Sequence, residues 1–246
     1  MAYNHPKGLC YVSDNIFEVM DESYSECKST YDCPDNPKMC FIPIPKNAST
    51  TWRQLVSKYS RIPLEEHNFI KNPEILEQYY TVCIIRNPIE RLCTGFLEII
   101  HRSEFSFKGL SDETISILKN FMYINKVLND EGPSGRSLKY CEEDRFLKFI
   151  EILKHKFFDA HIESQSFYIS DENGKTKFPK INKIFLLDEF SNFLIEKEIK
   201  VHHNSSKDYH RHGQPKSWYL KFFENKDNKE ILNIVKELYK DDLKLY

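Results

Sequence analysis

The sequence predicts an α/β domain in which a parallel β-sheet carries helices on both faces. Three short runs rich in β-branched and aromatic residues, 39–44, 81–86 and 183–188, predict buried strands. Each is followed by apolar residues at helical spacing. Strands that alternate with helices are typical of a parallel sheet covered on both sides. The 246 residues suffice for one such domain.

The helices are predicted from the spacing of apolar residues and from residues that typically begin or end a helix. Asn87 and Pro88 supply an N-cap and a first-turn proline for a helix that follows the second strand. The first 38 residues are polar and rich in turn formers, so we expect an irregular arm there and a single domain over 39–246. The predicted helices cover 49–60, Pro88 to about 100, 112–128, 142–155, a short segment ending near Ile199, 216–225 and 229–242.

Composition excludes several classes of protein. A net charge of −2 gives no global basic field, so we expect no nucleic-acid partner. We expect no secretion signal or transmembrane segment, because no apolar run approaches about 20 residues. Cysteine spacings do not match a zinc site, so we expect no metal. Cys40, Cys83 and Cys93 lie in apolar patterns and are expected to be buried thiols, whereas pairing of Cys27 with Cys33 is left open.

The first motif, Ile44-Pro-Lys-Asn-Ala-Ser-Thr-Thr-Trp52, joins a strand to its helix. A helix N-terminus offers unpaired N–H groups and partial positive charge. Ser49, Thr50 and Thr51 add hydroxyls, Lys46 adds a full charge, and Asn47 can adopt the left-handed conformation that glycine usually supplies. The segment therefore predicts a phosphate or sulfate cradle without a Walker loop. An ordinary Ser/Thr-capped helix is the alternative.

The second motif, Arg86-Asn-Pro-Ile-Glu-Arg-Leu-Cys-Thr-Gly-Phe96, begins at the tip of the second strand. The planar guanidinium of Arg86 can grip a phosphate there. Thr94 lies off the apolar stripe and offers a hydroxyl. Arg91 is also off the stripe, and we expect it to lie on the surface or to pair helices.

The two motifs resemble those of the carbohydrate sulfotransferases, which modify chondroitin, dermatan and heparan chains, and of their bacterial relatives. The first is similar to their 5′-phosphosulfate loop and the second to their 3′-phosphate motif, although Gly95-Phe96 replaces a small residue and a tyrosine. The resemblance implies a P-loop-like sulfotransferase fold and 3′-phosphoadenosine 5′-phosphosulfate (PAPS) as donor. It implies that Lys46 contacts the oxygen bridging phosphate and sulfur. Donor-binding residues would be Lys46, Asn47, Ala48, Ser49, Thr50, Thr51, Trp52, Arg86, Thr94 and Ser205.

Weaker resemblances extend over most of the chain. Asp159–Gln165 is similar to a family segment with Asp, His and Gln at similar spacing, and the stretches at 184–190, 203–206 and 237–246 also resemble family segments. We expect the loop from Val201 to Pro215, which contains several histidines and basic residues, to close over the donor.

The predicted reaction is sulfuryl transfer from PAPS to an acceptor hydroxyl, with a sugar favoured and a small-molecule alcohol or amine left open. In-line transfer needs a base, for which His67 ranks first, His161 second, and Glu65 or Glu66 after them. The alternatives are a P-loop-type nucleotide kinase and a catalytically inactive binding protein. We expect a cytoplasmic protein, or a Golgi lumenal domain if the chain is trimmed. The sequence makes no prediction of oligomeric state.

Overall fold

The computed structural model of the chain describes a large part of its residues, and all structural statements below refer to that part. These residues form two compact units. The sheet unit comprises residues within 5–86, 165–203 and 245–246, and the helical unit comprises residues within 87–164 and 213–244. The described residues are 9–13, 16, 38–60, 65–68, 71–72, 74–102, 105, 107–131, 140–155, 159–171, 173, 175–178, 180–200 and 213–246.

The sheet unit contains one mixed five-stranded sheet of order β3-β1-β2-β4-β5. β2, β4 and β5 run parallel, whereas β1 pairs antiparallel with both β2 and β3. All strands except β1 therefore share one direction, and their carboxyl ends lie at the same edge. The strands are β1 Leu9–Ser13, β2 Met39–Ile42, β3 Glu65–Asn68, β4 Tyr80–Ile85 and β5 Lys183–Leu186.

Successive side chains of the central strands point to opposite faces of the sheet, and they pack into two separate hydrophobic cores, one on each face. On one face Phe41 and Val82 pack with Trp52 of α1 and Phe190 of α7. The opposite face is covered by side chains that include Leu76 of α2 and Ile169 of α6. The predicted helical cover of both faces is thus present. The helices of this unit are α1 Ser49–Tyr59, α2 Glu74–Gln78, α6 Gln165–Ile169 and α7 Leu187–Glu196.

Three predictions about this unit need correction. The sheet is mixed and not wholly parallel, because β1 is inserted between β2 and β3. β1 lies in the region expected to be an irregular arm, and it forms ladders on both of its edges. The segment Glu65–Asn68, for which no helix or strand was predicted, is the strand β3. The three strands predicted from apolar runs are confirmed as β2, β4 and β5.

The helical unit has its own aromatic core. Phe96 packs against Phe149 and Phe146 with ring centroids 4.7 and 4.9 Å apart. Buried Arg145 bonds Asn125 and Glu142, and Glu142 accepts the hydroxyl of Tyr219 at 2.6 Å, so a polar network crosses this core. The helices of this unit are α3 Pro88–Arg102, α4 Asp112–Glu131, α5 Glu142–Leu153, α8 Lys216–Glu224, α9 Lys229–Leu238 and α10 Lys240–Leu245.

The helices predicted from periodicity are present, with one difference. The segment expected as one helix over 229–242 is divided at Tyr239 into α9 and α10.

No helix in the described part of the chain combines the length and the apolar character that crossing a membrane requires. Cys40, Cys83 and Cys93 are buried thiols, as predicted, and burial raises the pKa of Cys83 to about 12. Cys27 and Cys33 lie outside the described residues.

Candidate functional site

The loop after β2 ends in a helix N-terminus that no side chain caps. The cap position of α1 is Ala48, and the first intrahelical bond runs from Trp52 N to Ala48 O at 2.9 Å. The N–H groups of Ser49, Thr50 and Thr51 precede that bond and lack the usual helical acceptors. The Ser/Thr-capped helix considered as an alternative is therefore wrong. Three first-turn donors and the positive end of the helix dipole suit an anion.

The left-handed residues of this loop differ from the prediction. Lys46 and Ala48 have φ of 68° and 59°, whereas Asn47 between them does not. The Asn47 side chain is instead fully buried and donates from Nδ2 to Ile84 O of β4 at 2.8 Å. The Asn47 amide therefore ties the loop to the neighbouring strand β4. Lys46 and Ala48, on either side of it, adopt the left-handed conformation that the tight turn requires.

The side chains of the first helical turn differ in exposure. Thr50 is exposed, Ser49 is half-buried, and Thr51 is buried. The Trp52 indole is fully buried and stacks on Phe41 with ring centroids 4.4 Å apart. The sequence placed Trp52 among donor-binding residues, but its ring has no exposed surface and serves the core.

Arg86 follows the last residue of β4 and lies beside the Lys46 loop. Its Nη1 lies 3.5 Å from the carbonyl oxygen of Lys46. β2 and β4 are parallel neighbours, with Ile42 opposite Cys83, so the segments that follow them leave the same edge of the sheet. The structure thus brings together the two cationic residues predicted to bind the donor.

Gln165 joins the two segments through its side chain, an arrangement that the sequence analysis did not predict. It is fully buried, and its side chain bonds both the backbone of Arg86 and the side chain of Asn47. The resemblance of Asp159–Gln165 to a family segment was the one signal in the sequence, and it gave no role to the amide.

Thr94 and Arg91 belong to the helical unit. The hydroxyl of Thr94 donates to Glu90 O at 2.9 Å, and its side chain is half-buried on α3. Arg91 was expected to lie on the surface or to pair helices, but it is 1% exposed and donates to the carbonyls of Ala160 and Glu163. Its guanidinium therefore holds the turn that carries His161.

His161 is the candidate base whose surroundings are described. Its Nδ1 lies 2.8 Å from Asp159 Oδ1, and its backbone N–H donates to the same oxygen. An Nδ1–H donor to the carboxylate leaves Nε2 with its lone pair, which is the arrangement of an oriented imidazole base. Burial raises the pKa of the nearby Glu163 carboxyl.

Gly95 of α3 allows the backbone of this turn to approach closely. A Cβ added there would lie 2.4 Å from His161 O and 2.8 Å from Ile162 Cγ2. We expect Gly95→Ala to displace the turn and to lower the melting temperature. The free energy of unfolding should fall by about 1–3 kcal/mol, which is typical of overpacking. Gly109→Ala is the control, since its methyl would meet nothing within 4 Å and only φ of 78° opposes it. Equal melting temperatures for Gly95→Ala and the wild type would contradict the expectation.

The remaining candidates lie on β3 or outside the described residues. The backbone of His67 is in β3, opposite Cys10 of β1, near the carboxyl edge shared with β2 and β4. Its side chain is not among the described ones. Glu65 and Glu66 are exposed, and Glu66 lies 3.4 Å from Arg53 in a surface ion pair. Ser205 and nearly all of the loop at 201–215 lie outside the described residues.

In the described part of the chain, no group of three or more His, Cys, Asp or Glu side chains is arranged to hold a metal ion.

A family model described as the sulfotransferase family matches residues 29–246. No curated protein and no solved structure matches the chain significantly. The matched range includes the uncapped loop with Lys46, the strand tip with Arg86, and Gln165, which joins them. The chain therefore belongs to the sulfotransferase family.

Proposed function

We propose that the protein transfers a sulfuryl group from PAPS to a hydroxyl of a carbohydrate acceptor. The observation that carries this proposal is that the Lys46 loop, which leads into the uncapped N-terminus of α1, lies beside Arg86 at the same edge of the sheet. PAPS carries anionic groups at its 5′ and 3′ positions, and two separate cationic segments suit two such groups. Family membership supports sulfuryl transfer in general.

The residues of the loop fit a 5′-phosphosulfate group. The first-turn amides of α1 offer N–H donors, and the hydroxyl of the exposed Thr50 stands beside them. Arg86 is assigned to the 3′-phosphate, where its planar fork gives a charge-assisted contact.

The donor supplies an activated sulfur whose bond to the phosphate oxygen breaks as the acceptor oxygen bonds to that sulfur. In this scheme Lys46 stabilises the negative charge that develops on the leaving phosphate oxygen. A base accepts the proton of the acceptor hydroxyl. The contact with Asp159 supports His161 in that role in preference to His67.

The sugar acceptor rests on the resemblance of the two motifs to carbohydrate sulfotransferases, and turnover tests it. Purified protein is incubated with ³⁵S-labelled PAPS and separate sugar, small-molecule alcohol and amine acceptors. We expect label to appear on a sugar. Label on the alcohol or amine alone would overturn the acceptor class. Thermal shift by adenosine 3′,5′-bisphosphate (PAP), with none by ATP and Mg²⁺, would support sulfuryl transfer over a kinase.

Arg86→Ala is expected to weaken binding of PAP by about 1.5–3 kcal/mol, because a charge-assisted contact to the 3′-phosphate is lost. Adenosine 5′-phosphosulfate lacks that phosphate, so its affinity should change much less. Isothermal titration calorimetry with both ligands measures the difference. Arg53→Ala is a control on the exposed face of α1, with the same change of charge. Equal losses for the two ligands in Arg86→Ala would show that this residue does not recognise the 3′-phosphate.

A further inference from the structure

We propose that Gln165 is a positioning residue that couples the two anion-binding segments, so that a single buried amide sets the affinity for both ends of the donor. This inference rests on the proposed function, because it assigns the 5′ and 3′ groups to those segments. Gln165 is the first residue of the five-residue helix α6 and is fully buried.

The amide of Gln165 satisfies both backbone groups of Arg86. Oε1 accepts the N–H of Arg86 at 2.8 Å, and Nε2 donates to the Arg86 carbonyl, also at 2.8 Å. β4 ends at Ile85, and Leu186 is the last residue of β5 to pair with it. The Gln165 side chain therefore forms the same two hydrogen bonds with the backbone of Arg86 that a residue of a neighbouring strand would form. These bonds extend the pairing of β4 by one residue beyond its last pair with β5.

The same amide also holds the Lys46 loop. Oε1 of Gln165 accepts a second bond, from Asn47 Nδ2 at 2.5 Å, and that Nδ2 also donates to Ile84 O. Asn47 lies between the two left-handed residues that shape the loop. A shift of Gln165 would consequently move the backbone of Arg86 and the turn of the loop together.

Only a glutamine meets this set of bonds. The amide must supply two acceptor interactions and one donor from a position that is closed to water. Methionine has a similar length and volume but makes none of these bonds. Asparagine keeps the amide on a side chain shorter by one methylene group, so it cannot reach both segments. Removal of the amide takes one hydrogen-bond partner from the Asn47 side chain and one each from the backbone N–H and carbonyl of Arg86.

The coupling predicts which ligands lose affinity. Arg86→Ala should affect PAP selectively, because it removes one contact to the 3′-phosphate. Gln165→Met and Gln165→Asn should weaken both PAP and adenosine 5′-phosphosulfate, each by about 10-fold or more, because both segments move.

Asn182→Ala is the matched control. Asn182 Oδ1 accepts the N–H of Thr81 at 2.9 Å, so it is a side chain that holds β4 near its amino end, away from the site. Its loss should lower the melting temperature and leave both affinities unchanged.

The experiment is calorimetric titration of PAP and adenosine 5′-phosphosulfate into the wild type and these variants, at a temperature where melting curves show each to be folded. A loss for both ligands in the Gln165 variants, with none in Asn182→Ala, supports the coupling. Wild-type affinity in Gln165→Met, or in Gln165→Asn should the former not fold, would overturn the coupling alone. Absence of PAP binding by the wild type would overturn the donor assignment and the coupling with it.

Discussion

Lys46→Ala is expected to lower kcat by about 10²–10³-fold, because the leaving phosphate oxygen loses its stabilising charge. Lys46 lies at φ 68°, and alanine carries the same Cβ, so the strain of the left-handed backbone is similar in both proteins. The substitution therefore tests the ammonium group and leaves the turn in place. The measurement is turnover of labelled PAPS with the acceptor found in the screen.

The control for Lys46 is Lys58→Ala, which removes an exposed lysine from the last turn of α1, the helix that follows the Lys46 loop. The two substitutions change the net charge equally, but Lys58→Ala leaves the loop unaltered. We expect turnover of Lys58→Ala to match that of the wild type. Near-normal turnover in Lys46→Ala, with wild-type thermal stability, would remove Lys46 from the mechanism.

His161→Gln should lower kcat by about 10²–10⁴-fold, the range typical of a lost general base, while PAP affinity stays near the wild-type value. The physical reason is the contact of Nδ1 with Asp159, which leaves Nε2 to accept a proton. Asp159→Asn should reduce kcat in the same direction by a smaller factor, because the imidazole is retained and only its orientation is weakened. The measurements are kcat at saturating PAPS and a calorimetric Kd for PAP.

His67→Gln is the comparison that decides between the two histidines. A large loss of kcat in His67→Gln, with His161→Gln unaffected, would restore the order that the sequence suggested. Full activity in both His→Gln variants would indicate that a carboxylate, and not a histidine, accepts the proton of the acceptor hydroxyl. His155→Gln is a suitable control, since that half-buried histidine follows the end of α5 and has no role in the scheme.

Local patterns in the sequence predicted much of the fold. The apolar runs of β2, β4 and β5 and the long periodic helices are visible in short windows, because their residues face the cores directly. β3 has the sequence Glu-Glu-His-Asn, in which no residue is apolar, so it is a strand only because β1 offers it a hydrogen-bonded edge. α2 and α6 have five residues each and are too short to show a period.

The candidate site was predictable where its chemistry is local. Lys46 and Arg86 were found because each follows a buried strand and opens a helical segment. The role of Gln165 depends on bonds to Arg86, 79 positions earlier, and to Asn47, 118 positions earlier, and no short window contains such a relation. The backbone of Asn47 was misjudged for a similar reason, since its side chain is held by a partner from elsewhere in the chain.

The place of β1 bears on how the protein should be shortened for experiments. The five residues of β1 lie before residue 29, where the family match begins. In the sheet, however, β1 lies between β2 and β3 and pairs with both. A chain trimmed to the matched range would expose the edge of β2 and leave β3, with His67, no neighbour to hold it. Exposed strand edges invite pairing between molecules. Such a fragment would self-associate, and its inactivity would say nothing about the catalytic residues.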